Sequence, residues 1–131
     1  MSVLVQEMVA ARAAGVLYTT WEGNLLIEAC EGLGEPLVSG SLSPWQYRLD
    51  RTSGAVISVL PGRQRVALAV TASGGMDHRM ATRSNPLAPT DLVALQRVGQ
   101  AVERTFGCPQ DVEWAIDEKP HILQSRALPV K

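Results

Sequence analysis

The chain has 131 residues, 46% of them hydrophobic and 19% charged, and a formal net charge of −1. That balance supports a buried core rather than disorder, and the length suits one domain, residues 1–131. No basic stripe of the kind that meets nucleic acid is present, and no apolar run approaches the ~18 residues that span a bilayer. The N-terminus lacks a signal-peptide pattern, so no membrane partner and a cytoplasmic location are expected.

Three strands are read from the first thirty residues: Val3 to Val9, Gly15 to Thr20, and Asn24 to Cys30 after a Glu22-Gly23-Asn24 turn. Their near-continuous apolar runs suit strands covered on both faces. Gly32 and Gly34 then interrupt the pattern. Tyr47–Asp50 and Ala55–Leu60 read as a hairpin turned at Thr52-Ser53-Gly54, and a short strand is expected from Arg65 to Val70. Residues 72–89, rich in Gly, Ser, Pro and charge, read as a loop.

The spacing predicts a helix over Thr90–Phe106, capped by Thr90, with Asp91 at the positive end of its dipole. Leu92, Leu95, Val98, Gly99, Val102 and Phe106 share one face, and Gly107 with Pro109 ends the helix. The fold class is therefore α+β, mostly antiparallel sheet with one long helix. Cys30 and Cys108 lack a metal-binding spacing, and His78 and His121 are isolated, so no catalytic triad or metal cluster is expected from them.

The final stretch carries the chemistry. In Asp111–Ile116, Val112, Trp114 and Ile116 fall on one face, with Asp111, Glu113 and Ala115 on the other. Residues 117–120 read as a loop because Pro120 cannot donate to a ladder. If Ile116 faces His121, Glu113 lies opposite Gln124 and Asp111 opposite Arg126. A carboxylate beside an amide oxygen offers hard ligands for Mg²⁺, and an arginine two residues on offers a fork for phosphate. The same pattern also describes an ordinary solvated charge pair on an exposed sheet face.

The wording of these segments narrows the choice. Asp111-Val112-Glu113-Trp114-Ala115 followed by Ile122-Leu123-Gln124-Ser125-Arg126 resembles the end of the ATP-binding domain in phosphoenolpyruvate synthases, pyruvate phosphate dikinases and rifampicin phosphotransferases. Val5-Gln6-Glu7-Met8-Val9 is similar to the family's V-Q-x-M-V segment, and Gly15–Thr19 to its G-V-[LM]-F-T. Ile27-Glu28-Ala29, with Gly32-Leu33-Gly34-Glu35 and Val38-Ser39-Gly40, resembles its I-E-A…G-L-G-E…V-S-G. The resemblance covers nearly the whole chain and implies the C-terminal half of an ATP-grasp domain that binds ATP and Mg²⁺.

By position it implies Glu113 and Gln124 as metal and phosphate ligands, Arg126 on the phosphates, and Asp111 as a further acid at the metal. It also implies Gln6 as a nucleotide contact beside Met8 and Val9. The chain departs from the pattern at Trp21-Glu22-Gly23, a shortened loop, and at Pro44-Trp45-Gln46-Tyr47, which lacks the family's acid. The family's catalytic Lys and Arg belong to an N-terminal subdomain with no counterpart here, and Lys119 and Lys131 stand in the wrong contexts. No phosphohistidine domain or phosphoenolpyruvate barrel is recognised.

The expectation is a half-domain of an ATP-dependent phosphotransferase, inactive alone, that meets a complementary N-terminal chain or self-associates. The uncovered apolar wall of half a cleft favours such a partner. A non-catalytic nucleotide-binding module and a truncated fragment are the alternatives.

Overall fold

The computed structural model describes residues 1–129, so the terminal Lys131 lies outside the described residues. Strand β1 (Ala13–Trp21) turns through Glu22 and Gly23, both at positive φ, into β2 (Asn24–Glu31). Such a two-residue turn matches the twist of the strands it joins. A four-residue helix, α1 (Glu35–Val38), precedes β3 (Trp45–Leu49) and β4 (Val56–Leu60). The β3–β4 turn is tied by the Asp50 carboxylate, which accepts from the Thr52 and Ser53 N–H groups at 2.9 and 2.7 Å. These bonds, the one from the Ser53 N–H foremost, hold Asp50 below the usual carboxylate range.

A separate hairpin, β5 (Val66–Val70) and β6 (Met76–Met80), leads to α2 (Pro89–Phe106), then to β7 (Gln110–Ile116) and β8 (Pro120–Ala127). The main sheet has six strands in the order β4-β3-β2-β1-β7-β8, every pairing antiparallel. The α+β architecture expected from the sequence is the one observed.

The core lies between this sheet and α2. Leu17, Ile27, Tyr47, Val112, Trp114 and Ile116 point from the sheet to Leu92, Leu95 and Val102 of the helix. Gly99 lets the helix come close, because a Cβ there would sit 3.1 Å from Leu17 and 3.2 Å from Leu25. A smaller cluster on the other face gathers Ala11, Ala14, Leu33, Leu68 and Ala115.

Several expectations are corrected. Val3–Val9 is not a strand: residues 1–12 have no regular structure, and Val3, Leu4 and Val5 are exposed. Both sides of β1 are taken by β2 and β7, so this segment cannot pair beside the strand it precedes. Instead it crosses toward the small cluster, where Val9 and Ala11 pack. The 72–89 stretch contains β6, whose five residues are all exposed and therefore lack the apolar alternation that marks a strand.

Helix α2 starts at Pro89 with Ala88 as its N-cap, not Thr90. Asp91 reaches back to accept the Ala88 N–H at 2.7 Å. Phe106 falls on the buried stripe by angle yet is 58% exposed, so the last turn has no sheet beneath that side chain. Pro120 opens β8 rather than ending the loop, a place where a missing N–H costs little.

Asp91 also receives the Arg12 guanidinium as a fork, at 2.6 and 3.2 Å, while Arg12 Nε donates to the Asp117 carbonyl at 3.0 Å. The Arg12–Asp91 ion pair thus joins the N-terminal segment, the start of α2 and the β7–β8 turn.

Leu95 is fully buried in the helix–sheet core. Leu95→Ala is expected to lower unfolding stability by about 2–5 kcal/mol in chemical denaturation. A loss below about 1 kcal/mol would mean that α2 does not seal this face.

Candidate functional site

Opposed residues of an antiparallel pair point to the same face, so the register of successive strands builds rows across the sheet. On the face away from α2, one row runs Gln124, Glu113, Val16, Glu28, Gln46 from β8 to β3. The next row, two residues along each strand, runs Arg126, Asp111, Tyr18, Leu26, Arg48. Two residues along a strand is about 7 Å.

The pairings Glu113–Gln124 and Asp111–Arg126 are those expected, but they arise differently. Ile116 faces Pro120, and His121 faces Ala115. The register then shifts by one between Glu113 and Trp114, where Leu123 is the extra residue of a β-bulge. The bulge turns Leu123 toward Ala115 and the small apolar cluster while leaving Gln124 opposite Glu113.

Among the described residues neither the Glu113 carboxylate nor the Gln124 amide has a hydrogen-bond partner, so both are free to bind. Arg126 donates from Nε to Asp111 Oδ2 at 2.9 Å. The Asp111 side chain is 11% exposed and that of Arg126 is 72% exposed. The half-buried acid therefore anchors an arginine whose two terminal nitrogens remain available. Asp111 is placed in this ion pair, one row from Glu113.

At the other end of the face the N-terminal segment walls a cleft of about 150 Å³. Gln6, Met8 and Val9 line it from one side, with Ala14, Ala115 and Leu123 from the sheet. Gly34 lines it too, whereas Gly32 serves packing: at φ 81, its added Cβ would lie 2.4 Å from the Leu68 carbonyl oxygen. Cleft, acid–amide pair and arginine thus follow one another along β7 and β8.

Sequence reasoning assigned no role to Glu28. Register places it across Val16 from Glu113, and Gln46 Nε2 donates to its carboxylate at 3.0 Å. A lone acid between buried Ile27 and Ala29 was a visible sign that it faces away from the core, but its row depends on long-range pairing. Burial first, then the Glu28 and Asp111 carboxylates, push Tyr18 up to about 12.

Among the described residues no group of three or more His, Cys, Asp and Glu side chains is arranged to hold a metal ion unaided. One carboxylate and one amide oxygen suit a cation that keeps water and shares other ligands, as Mg²⁺ does with phosphate. No helix of the described residues is long and apolar enough to cross a membrane.

The family described as "Pyruvate phosphate dikinase, AMP/ATP-binding domain" matches residues 1–131. The chain is 35% identical, over 97% of its length, to a probable phosphoenolpyruvate synthase of Methanothermobacter thermautotrophicus, covering 20% of that protein. It is 37% identical, over 98% of its length, to a rifampicin phosphotransferase of Streptomyces sviceus, covering 16%. A probable phosphoenolpyruvate synthase of Archaeoglobus fulgidus is 34% identical over 97% of the chain, which covers 18% of it. The chain spans a fifth or less of the length of these relatives.

Folding keeps the proton on Tyr18, so its contribution to stability is complete below pH about 10 and is lost as pH rises through about 12. Spectrophotometric titration is expected to show no tyrosinate step near pH 10 for Tyr18, and Glu28→Gln is expected to lower its midpoint part of the way. An unchanged midpoint in that variant would contradict the shared face.

Proposed function

Because the chain belongs to the pyruvate phosphate dikinase AMP/ATP-binding domain family, we propose that the sheet face away from α2 holds Mg-ATP for an ATP-dependent phosphotransferase. The observation that carries this reading is the order along β7 and β8: apolar cleft, then Glu113 with Gln124, then Arg126. It parallels a nucleotide with its base at one end and its phosphates at the other.

Gln6, Met8 and Val9 hold the base against Leu123. Glu113 and Gln124 supply oxygens to Mg²⁺, with Asp111 as the nearest further acid. Arg126 presents its terminal nitrogens to the phosphates, oriented by the bond from Nε to Asp111. Mg²⁺ held by Glu113 and Gln124 would supply charge neutralisation at the phosphates. The role of this face is positioning and charge balance, the main demands of phosphoryl transfer.

In this reading the reacting lysine and arginine come from a complementary N-terminal segment or chain, and the phosphoryl group passes to a carrier histidine. Residues 3–5 and 8 leave apolar side chains exposed beside the base cleft, which is where such a segment would close the site. A cytoplasmic location fits this chemistry.

Calorimetric titration tests it. Mg-ATP is expected to bind the wild type, and Glu113→Ala is expected to weaken binding at least about tenfold, equivalent to about 1.4 kcal/mol. With EDTA the Glu113 effect should vanish, whereas Arg126→Ala should weaken binding with or without the cation. ATP affinity that ignores Glu113→Ala would remove the site assignment.

A further inference from the structure

A second concentration of charge lies on the α2 side of the sheet. There Glu31 and Trp45 face the helix layer, and residues 62–65 and 81–86 close over them. Arg63, Arg65 and Arg83 line this cleft of about 350 Å³, with Trp45 at its base. Elsewhere Arg12, Arg48, Arg51, Arg79 and Arg126 each pair with a carboxylate. Among the described residues Arg63, Arg65 and Arg83 have no such partner, and neither do Arg97 and Arg104 of α2, outside this cleft.

Among the described residues Glu31 is the one acid lining the cleft, and its charge is already met. Arg79 pairs with it, and Thr82 donates to it from both N–H and hydroxyl at 2.8 and 2.9 Å. Burial opposes its charge, yet these donors prevail and hold it below the ordinary carboxylate range. The local balance is therefore three uncompensated positive charges in a chain whose net charge is −1.

The three arginines stand on a fixed frame. Arg63 exchanges backbone bonds with Ser43 at 2.8 and 3.3 Å, and the Arg65 carbonyl accepts from Ala81 at 3.0 Å. Gly62 passes so close to Trp45 that an added Cβ would lie 2.5 Å from its nitrogen. The Gln64 amide bonds to both the N–H and the carbonyl of Glu31, at 2.8 and 2.9 Å. Arg83 is held at φ 63, a conformation that costs a non-glycine residue energy and persists only where its surroundings enforce it.

Guanidinium groups bind phosphoryl oxygens through paired N–H donors, and a concave basic wall concentrates such anions. We propose that this cleft is a second anion site, separate from the nucleotide face, that takes a small phosphoryl anion such as pyrophosphate. It does not depend on Mg²⁺, since its charge is already positive and Glu31 is spoken for.

The test is calorimetric titration of pyrophosphate in EDTA, on the full chain carrying Arg126→Ala so that the nucleotide face does not contribute. Saturable binding is expected. Arg63→Gln with Arg65→Gln should weaken it at least about tenfold, the scale of losing charge-assisted contacts. Arg83→Gly should weaken it likewise without lowering the melting temperature, because glycine accepts the backbone angle. Arg97→Gln, on α2 and outside the cleft, should leave the affinity unchanged. Absence of saturable binding, equal affinity in the cleft variants, or an equal loss in Arg97→Gln overturns the proposal. Its failure leaves the Mg-ATP reading untouched, since that reading rests on Glu113 and Arg126.

Discussion

The site depends on one constraint, the pairing of β1 on both sides over the same residues. Ala13 to Tyr18 bonds to β2 along one edge and to β7 along the other. A strand so held cannot slip by one residue without sending every side chain to the wrong face. Gly15 shows how tight the fit is, since a Cβ there would collide with the Glu28 carbonyl oxygen. Ala13 and Leu17 are committed to the helix core, and so Val16 and Tyr18 must face the other way. Glu113, Gln124, Asp111 and Arg126 take their positions by pairing outward from those two.

The opposition of Glu113 and Gln124 was legible in the sequence, though the counting that reached it assumed a turn one residue too long. The turn is shorter because Pro120 enters the strand, and the bulge at Leu123 returns the missing residue before Gln124. The two differences cancel at Glu113 and do not cancel at Trp114. A bulge leaves little local mark in composition, because it is set by what both neighbours require. Here Leu123 is required by the apolar cluster around Ala115, and Gln124 by the row of Glu113.

Helix α2 was readable because its signal is local: apolar spacing, an acid in the first turn and glycine past the end. Its first residue was misread, since Asp91 caps from inside the helix, through the Ala88 N–H, while Arg12 from far away fixes its geometry. The N-terminal segment failed for the opposite reason. Val3 to Val9 has strand-forming residues, but propensity needs a pairing partner, and both sides of the adjoining β1 are occupied. The family likeness supplied Gln6, and the fold explains how an irregular segment reaches the sheet. Strand β6 and the row containing Glu28 were invisible because both depend on pairing partners distant in sequence.

The two faces of the sheet have opposite electrostatic characters, and this bears on what each can accept. The face away from α2 carries Glu28, Asp111 and Glu113, while Arg48 pairs with Glu22 and Arg126 gives only its Nε to Asp111. On the proposed reading, a bare triphosphate approaching that face meets three carboxylates beside Arg126, and an accompanying cation strengthens its binding. The cleft under Arg63, Arg65 and Arg83 has the reverse balance and has no need of a cation. On the proposed readings, dependence on Mg²⁺ belongs to one face and not to the other, although both are fixed by the same sheet. Because β2 and β3 reach both places, through Glu28 and Gln46 on one side and Glu31 and Trp45 on the other, the two sites share a rigid floor while their charges remain independent.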